Sequence, residues 1–235
     1  MTQTLNPLYI IPARGGSKGI PHKNIRPFCG KPLIIYSIDC ARALGADDAH
    51  IIVSTDDPAI AAVSREHGLP VPYTRPAVLG GDSVGSREVM LDVMDWADSH
   101  GIAYDCVVLL QPTSPLRTAA DVRRALDLYT SQVDMVVSVC EAASNPYYTC
   151  FEQTGPEGYL HISKGDGMYT RRQDCPKVWE CNGAVYVINP ESLRKMPLGA
   201  FARRLPSPMP ASRSVDLDTP TDWMVAEAVA AAEKP

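Results

Sequence analysis

The chain has 235 residues, 45% of them apolar, which is enough for one large domain or two small ones. Its 22 Lys and Arg against 27 Asp and Glu give a net charge of −5, which argues against general electrostatic binding to nucleic acid or anionic membrane. No apolar run approaches the ~20 residues that span a bilayer, and the N-terminus lacks the features of a signal peptide.

The first 140 residues alternate short apolar runs with segments of helical spacing. The apolar runs predict strands over 7–13, 50–55, 69–74, 105–111 and 134–139. The helical patterns between them cover 31–45, 56–68, 86–101 and 118–132. The second helix carries its own boundary signals: Asp56 or Asp57 as N-cap, Pro58 in the first turn and Gly68 at the end. Because continuous apolar strands suit burial on both faces, this order predicts an α/β fold with a doubly wound, mostly parallel sheet and helices on both faces.

The regular pattern stops after Glu141. Residues 144–178 contain Asn-Pro, Gly-Pro, Gly-Asp-Gly and Cys-Pro turns and few apolar runs. A stretch this long inside a domain predicts an inserted lid, hairpin arm or dimer contact, and we call it the inserted segment. A strand over 183–188 and a C-terminal helix follow, the helix opening with a Thr219–Asp222 capping box. Neither a repeat nor a linker divides the chain, so we expect a single domain over 1–235.

The seven cysteines are scattered and show neither a CxxC pair nor zinc-ligand spacing. Several lie in apolar runs, where cysteine acts as a small hydrophobic residue. We therefore expect reduced, structural cysteines and a cytoplasmic protein.

The loop after the first strand, "IIPARGGSKGIPHKN", combines three glycines with the basic residues Arg14, Lys18, His22 and Lys23. Glycine lets backbone amides approach a ligand, and clustered cations on an acidic chain indicate that the ligand is anionic. Ligands of open α/β sheets lie beyond the carboxyl ends of the strands, so we expect a phosphate chain here. The loop matches neither GxxxxGK[ST] nor GxGxxG, and a solvated Gly/Lys turn is the alternative.

A second chemical signal is the pair Asp216 and Asp218 in "SVDLD". Residues two apart on an extended backbone share a face, where two carboxylates suit one Mg²⁺ with water and phosphate oxygens. The alternative is a pair that is solvated or caps the next helix. Asp222 is accounted for by the capping box.

Several motifs together closely resemble the acylneuraminate cytidylyltransferases, which make CMP-sialic acids, including those that make CMP-legionaminic acid. The resemblance covers nearly the whole chain, in order. It rests on "IPARGGSKGIPHKNIRPFCGKPLI" (11–34), "VSTDD" (53–57), "RPAVLGGDSVGS" (75–86), "LLQPTSPLR" (109–117), "RRQDCP" (171–176), "NGAVYV" (182–187) and "SVDLDTPTDW" (214–223).

The resemblance implies a Rossmann-like fold, usually dimeric, that joins CTP to a nine-carbon 2-keto sugar acid and releases pyrophosphate with Mg²⁺ present. It implies that the catalytic and phosphate-holding groups are the side chains of Arg14, Lys18 and Lys23 and the amides of Gly15 and Gly16. It implies nucleotide contacts for Asn24, Arg75 and Ser86, with a surface arginine and a helix N-cap as the alternatives for the last two. It also makes Asp216 and Asp218 the magnesium site.

For the sugar acid, the resemblance implies four contact residues: Gln111, Arg172, Asn182 and Tyr186. Arginine suits the carboxylate of the sugar because its planar fork binds two oxygens, whereas core packing is the alternative for Tyr186. The family's lysine after a His-Pro is absent, since this chain reads "NPYYTCFE" with Tyr147 and Tyr148. We therefore expect sialic acid or a sialic-like acid such as legionaminic acid, with pseudaminic acid as an alternative.

Two other functions are alternatives to this one. A nucleotidyltransferase for a sugar phosphate would not need Arg172 to read a carboxylate. A non-catalytic nucleotide-binding module would not need the acidic pair and the basic loop, and both are present.

Overall fold

A computed structural model describes residues 5–16, 19–81 and 84–232. Its centre is a six-stranded sheet in the order β10-β6-β9-β5-β1-β4. The strands are β1 (Pro7–Pro12), β4 (Ile51–Ser54), β5 (Cys106–Leu109), β6 (Met135–Glu141), β9 (Trp179–Ile188) and β10 (Arg204–Pro208). The four shorter strands form two separate hairpins, β2 (Pro27–Phe28) with β3 (Lys31–Pro32) and β7 (Phe151–Thr154) with β8 (Tyr159–Ile162).

The predicted α/β sheet is confirmed, and it is mostly parallel. β1 pairs in parallel with β4 and with β5, and β6 pairs in parallel with β10. The exception is β9, which runs antiparallel between β5 and β6. β1 lies between β4 and β5, so the chain first adds β4 on one side of β1 and then crosses to add β5 on the other side. The strand order reverses there, which is where such sheets bind ligands.

Helices cover both faces of the sheet. One face packs against α1 (Leu33–Ala43), α2 (Pro58–Glu66) and α4 (Ala119–Leu128). The other packs against α3 (Ser86–Ser99) and α5 (Pro190–Lys195). The alternation within β1 shows the reason, since Tyr9 and Ile11 join the first apolar cluster while Leu8 and Ile10 join the second.

The C-terminal helix α6 (Pro220–Ala232) belongs to a third apolar cluster, with the segment after β1. Trp223 packs edge-on against Phe28, with ring centroids 5.5 Å apart. The predicted capping box is confirmed, because Thr219 Oγ1 accepts from the Asp222 amide at 3.2 Å and Asp222 Oδ2 accepts from the Thr219 amide at 2.7 Å. This packing places the C-terminal helix beside the segment that follows β1.

Local signals for α2 are also confirmed. Asp57 is its N-cap and accepts from the Ala59 amide at 2.8 Å, and Pro58 is in the first turn. Gly68 follows the helix with φ +80°, a conformation that glycine adopts without steric cost.

The strand predicted over 69–74 was wrong. Leu69, Val71 and Tyr73 are buried in alternation, as in a strand, but Pro70 and Pro72 have no N–H to donate to a ladder. The sequence pattern also missed β10, whose Pro206 and Pro208 are tolerated because it lies at the sheet edge.

The inserted segment leaves the sheet after β6 and returns as β9. It contains the β7–β8 hairpin, which pairs with no other strand of the described chain. Phe151 and Leu160 lie on one face of this hairpin and are 54% and 66% exposed. Among the described helices, none is both long and apolar enough to cross a membrane.

Candidate active site

A cavity of about 490 Å³ opens at the carboxyl ends of the strands around β1. Its walls come from the loops after β1 and β5, from the segment between β4 and α3, and from the segment before α6. The predicted site residues that line it are Arg14, Lys23, Asn24, Arg75, Ser86, Gln111 and Asp218. Arg14 and Asp218 are 204 positions apart in the sequence (218 − 14 = 204), and the fold brings their motifs to one cavity.

The glycine-rich loop is held from both sides by acidic segments. The Gly15 amide donates to Asp56 Oδ1 at 3.2 Å, and a Cβ on Gly15 would lie 2.7 Å from Asp57 Oδ2. A Cβ on Gly19 would lie 2.1 Å from the Asp218 carbonyl oxygen. The approach to the Asp218 backbone requires glycine at position 19. The predicted residue Lys18 lies outside the described residues.

Asn24 acts on the backbone of the same loop. Its side chain is buried, and Nδ2 donates to the Arg14 carbonyl at 3.0 Å. A Cβ on Gly16 would have no atom of the described residues within 4 Å. Gly15 and Gly16 are not among the described residues that line the cavity, so their predicted amide contacts with phosphate stay a prediction.

Arg75 is a buried cation in the cavity wall, 5% exposed. Its Nε donates to Ser54 Oγ at 3.0 Å and its Nη2 to the Ser54 carbonyl at 2.7 Å. Burial lowers the pKa of the guanidinium, since charge is less favourable away from water. The alternative of a surface arginine is therefore wrong. The capping alternative for Ser86 is wrong too, because Gly85 is the N-cap of α3 and Ser86 is its first residue.

The acidic pair adjoins the basic loop. Lys23 Nζ donates to the Leu217 carbonyl at 2.7 Å and to Asp218 Oδ1 at 3.2 Å. Asp218 is exposed, whereas Oδ1 of Asp216 is buried and has no hydrogen-bond partner in the described part of the chain. Burial raises the pKa of the Asp216 carboxyl, against a hydrogen bond from Thr113 that lowers it. A carboxylate oxygen left without a donor is a place where a cation would be stabilised.

The described residues contain no group of three His, Cys, Asp or Glu side chains placed to hold a metal. A closed all-protein cage is therefore absent from them. Mg²⁺ does not need one, because it binds through one or two carboxylates with waters and substrate phosphates. The pair Asp216 and Asp218 fits that requirement.

Gln111 faces a glycine that sequence reasoning missed. Gly183 has φ +74°, and a Cβ there would lie 3.2 Å from Gln111 Oε1 and 3.6 Å from Asp216 Oδ2. It sits in an irregular part of β9, where four residues separate Cys181 from Tyr186 but one separates their partners Val139 and Val137 on β6. A glycine within an apolar strand pattern, as in "NGAVYV", is the available signal for such a close approach.

Two predicted sugar contacts, Asn182 and Tyr186, lie on β9, and neither is among the described residues that line the cavity. Asn182 is buried, accepting from Ser138 Oγ at 2.6 Å and donating to Ser214 Oγ at 2.8 Å. Tyr186 packs against one of the apolar clusters of the sheet, and burial raises its pKa. Both positions are occupied by side chains that stabilise the fold.

Arg172 does not reach the cavity within one chain. It lies on a short 3-10 turn of the inserted segment, and its Nη2 donates to the Ala142 carbonyl at 2.9 Å. There it lines a separate cavity of about 120 Å³ with Asn145 and Lys177. The central cavity thus brings together Gln111, Asp218 and the side chains predicted to contact the nucleotide, while Asp216 is not among its lining residues and Arg172 lies in the separate cavity.

The chemistry of the central cavity is that of a polyanion site. Guanidinium groups of Arg14 and Arg75 and the ammonium of Lys23 line it, and Asp218 supplies an oxygen ligand at the same wall. Fixed cations in a partly enclosed site stabilise phosphate charge more strongly than they would in bulk water.

Comparison with known proteins agrees with this geometry. The family model described as cytidylyltransferase matches residues 8–197. An N-acylneuraminate cytidylyltransferase of Streptococcus agalactiae is 34% identical over 223 residues, covering 94% of this chain and 52% of that protein. The chain therefore spans about half the length of that relative. A CMP-N,N'-diacetyllegionaminic acid synthase of Legionella pneumophila is 30% identical, with 94% of both chains covered.

The fold also has a counterpart of known structure. A CMP:2-keto-3-deoxy-manno-octonic acid synthetase complexed with CTP superposes with a TM-score of 0.69 over 97% of this chain and 99% of that one. At 19% identity this similarity concerns the fold alone. The family-model match covers most of the chain, and the resemblance seen in the motifs is confirmed. This chain belongs to the cytidylyltransferase family.

Proposed function

We propose that this protein transfers CMP from CTP to the anomeric hydroxyl of a nine-carbon 2-keto sugar acid. The hydroxyl oxygen bonds to the α-phosphorus, the bond from that phosphorus to the β-phosphate oxygen breaks, pyrophosphate leaves, and the hydroxyl proton passes to water. The observation that carries the proposal is the single cavity that Arg14, Lys23, Arg75, Gln111 and Asp218 share. Family membership supports it.

The phosphates would lie against the loop after β1. Arg14 and Lys23 line the cavity there, and we assign Lys18 and the amides of Gly15 and Gly16 to the same task. Asn24 supports the loop through the Arg14 carbonyl. Negative charge grows on the leaving pyrophosphate in the transition state. Cations held in place beside that charge stabilise the transition state and so accelerate the reaction.

Mg²⁺ is the proposed cofactor, held by Asp216 and Asp218 with phosphate oxygens and water. When bound, it neutralises charge on the phosphates of CTP. The buried, unpartnered Oδ1 of Asp216 supports this assignment, as does the exposure of Asp218. Lys23 contacts the same carboxylate of Asp218, so the ammonium and the metal would act on one charge cluster.

We further propose a homodimer in which the inserted segment of one subunit completes the sugar pocket of the other. Within its own chain Arg172 lines the separate cavity and not the central one, and its guanidinium suits a sugar carboxylate. The β7–β8 hairpin presents Phe151 and Leu160 to solvent, as an arm that packs on a second copy would. Asn182 and Tyr186 stay assigned to the sugar side by family resemblance.

The acceptor is proposed to be sialic acid or a sialic-like acid such as legionaminic acid, with pseudaminic acid as the alternative. The resemblance to the family implies a lysine in this region, where this chain has Tyr147 and Tyr148. The inserted segment nevertheless has a cation at this point, because Lys164 Nζ lies 5.1 Å from the ring centroid of Tyr147. The inserted segment thus differs from that family pattern in where its positive charge lies, and not only in the loss of one lysine.

The deciding experiment measures pyrophosphate release from CTP with each purified nine-carbon acid, in the presence of Mg²⁺. We expect turnover with CTP and a sialic or legionaminic acid, and little with ATP, GTP or UTP. Absence of pyrophosphate release with every acid would reject the proposal. The location is proposed to be cytoplasmic, which suits the seven cysteines, all of them free.

A further inference from the structure

Arg117 is a buried cation at the end of the loop after β5. It is 6% exposed, and burial lowers the pKa of its guanidinium. Nη1 donates to the Gln111 carbonyl at 3.1 Å and to the Ala184 carbonyl at 2.7 Å, and Nη2 donates to the Ser37 hydroxyl at 2.6 Å. A buried charge is costly unless hydrogen bonds compensate it, so these three acceptors determine where the guanidinium lies.

The three bonds join segments that are far apart in the sequence. Ser37 belongs to α1, Gln111 follows β5, and Ala184 belongs to β9. The Ser37 hydroxyl also donates to the Gln111 carbonyl at 3.4 Å, so that oxygen accepts from two side chains. Arginine can bridge three segments at once because its guanidinium presents five N–H donors in one rigid plane.

The contact with β9 comes where that strand leaves its regular pairing. Ala184 is paired with no residue of the neighbouring described strands, and the bond from Arg117 satisfies its buried carbonyl. Ala184 directly follows Gly183, where a Cβ would lie 3.2 Å from Gln111 Oε1. Arg117 therefore bonds the backbone on both sides of this close approach, at Gln111 itself and next to Gly183.

We infer that Arg117 is a positioning residue for the sugar acid, which acts by fixing the separation between the Gln111 backbone and β9. One nitrogen, Nη1, bonds both carbonyls, so neither segment can shift without losing a bond to a buried cation. Gln111 lines the central cavity, and its side chain would face the acceptor from a fixed place, so less conformational freedom is lost on binding. The inference rests on the proposed function, because Gln111 is taken to contact the sugar acid.

The test is the steady-state kinetics of Arg117→Lys, which keeps the charge but removes the planar fork. The acceptor is whichever of sialic, legionaminic and pseudaminic acid gives the wild type its fastest pyrophosphate release. We expect the KM for that acid to rise about 10-fold, as after the loss of one orienting hydrogen bond. The KM for CTP should stay near that of the wild type, because Arg117 bonds none of the proposed nucleotide contacts.

The matched control is Arg42→Lys, a change in another arginine that bonds backbone carbonyls. Its Nη1 and Nη2 donate to the His67 and Gly68 carbonyls at 3.1 and 3.0 Å, and it is not among the described residues that line the cavity. Both variants should melt at a lower temperature than the wild type. Only Arg117→Lys should raise the KM for the sugar acid, which a purely structural role would leave unchanged.

A double-mutant cycle identifies the route of the effect. In a Gln111→Ala background, Arg117→Lys should cause no further rise in the KM for the sugar acid, because the side chain that Arg117 positions is gone. If Arg117→Lys does not fold, Ser37→Ala takes its place, since it removes the acceptor of Nη2 and the hydroxyl bond to the Gln111 carbonyl. We expect a rise of about 3-fold from that variant.

The outcomes distinguish failure of the inference from failure of the proposed function. A folded Arg117→Lys, or Ser37→Ala in its place, with the wild-type KM for the acid would overturn the inference alone. An equal rise with and without the Gln111 side chain would also overturn it, as would an equal rise in the KM for CTP. Wild-type protein that releases no pyrophosphate with any of the three acids would reject the proposed function, and the inference with it.

Discussion

The ammonium nitrogen of Lys23 lies 3.2 Å from Oδ1 of Asp218, although the two residues are 195 positions apart. Lys23 also donates to the neighbouring Leu217 carbonyl at 2.7 Å, so the contact has two points of attachment. The side chain of Lys23 is 13% exposed and that of Asp218 is 72% exposed. This contact ties the loop after β1 to the segment before α6 and places a cation next to the proposed metal ligand.

The first prediction concerns Lys23→Ala. If Lys23 meets charge that grows in the transition state, kcat should fall roughly 100-fold, or about 3 kcal/mol, while the Kd of CMP changes little. Lys31→Ala is the matched control, since Lys31 pairs with Asp39 at 2.6 Å outside the cavity. Steady-state pyrophosphate release and CMP titration give the two quantities. A variant in which only the KM for CTP rises would make Lys23 a ground-state binding residue.

The second prediction concerns the metal. Asp218→Asn should fold normally yet lose about 3 kcal/mol of transition-state stabilisation, roughly 100-fold in kcat, because one Mg²⁺ ligand is weakened. EDTA should abolish wild-type turnover, and added Mg²⁺ should restore it. Asp222→Asn, four residues away, removes a capping contact and is expected to cost about 1 kcal/mol of stability without changing the Mg²⁺ requirement. Wild-type rates for Asp218→Asn at saturating Mg²⁺ would remove Asp218 from the metal site.

The third prediction compares two glycines of positive φ. Gly183→Ala and Gly45→Ala each force alanine into the left-handed region, which costs about 1–2 kcal/mol. Gly183→Ala also presses a Cβ to 3.2 Å from Gln111 Oε1, whereas no atom of the described part of the chain lies within 4 Å of a Cβ built on Gly45. We therefore expect similar losses in chemical denaturation and a raised KM for the sugar acid in Gly183→Ala alone. Unchanged kinetics in that variant would separate Gln111 from acceptor binding.

The fourth prediction concerns the inserted segment. Arg172→Ala should raise the KM for the sugar acid steeply and leave the KM for CTP nearly unchanged, since an unpaired buried carboxylate is costly. Arg171→Ala is the control next to it, because Arg171 pairs with Asp174 at 2.8 Å on the surface. An unchanged sugar KM in Arg172→Ala would remove this residue from the pocket.

The same prediction extends to the assembly. Replacing Phe151 and Leu160 by Ser removes the exposed apolar side chains of the hairpin and should convert dimer to monomer in light scattering. Met224→Ser, a substitution of another exposed apolar residue on α6, should leave the oligomeric state unchanged. A double Ser variant with the mass of the wild-type assembly would contradict the proposed contact.

The fifth prediction concerns acid stability. Asp121 is buried in α4 and accepts from Arg213 at 2.9 and 3.1 Å and from Thr118 Oγ1 at 2.7 Å. Burial alone raises the pKa of this carboxyl, but the bonds from Arg213 and Thr118 outweigh burial and hold the pKa below its usual range. As the pH falls below about 4, the unfolded chain therefore takes up a proton that the native chain does not, and the free energy of unfolding decreases.

Denaturation midpoints across a pH series check this sign. Arg124 of the same helix also donates to Asp121. Asp121→Asn should be roughly 2–4 kcal/mol less stable near neutral pH, since it leaves Arg124 and Arg213 without their anion, and should lose less stability on acidification. Asp127→Asn, on an exposed position of the same helix, should track the wild type. Parallel acid profiles for wild type and Asp121→Asn would show that the stability lost in acid comes from other groups.

Much of the fold follows from local signals in the sequence. The strand at 7–13 and the helix opened by Asp57 and Pro58 are predicted correctly because their apolar spacing and caps act over a few residues. The strand over 69–74 fails for the opposite reason, since Pro70 and Pro72 remove donors that a ladder needs. The edge strand β10 was missed because Pro206 and Pro208 break the usual strand pattern, and only its place at the sheet edge beside β6 tolerates them.

The site divides in the same way. The motifs identified which residue types carry phosphate, metal and sugar chemistry, because glycine, arginine and paired aspartates have those properties wherever they occur. Only the tertiary structure decided that Lys23 contacts Asp218, that Gly183 must lack a side chain beside Gln111, and that Arg172 lies apart within one chain. These contacts are between residues far apart in the sequence, and no pattern in neighbouring residues predicts such a contact. They arise when burial of the sheet and its helices brings the strand ends to one edge, a result of the summed packing and not of any single motif.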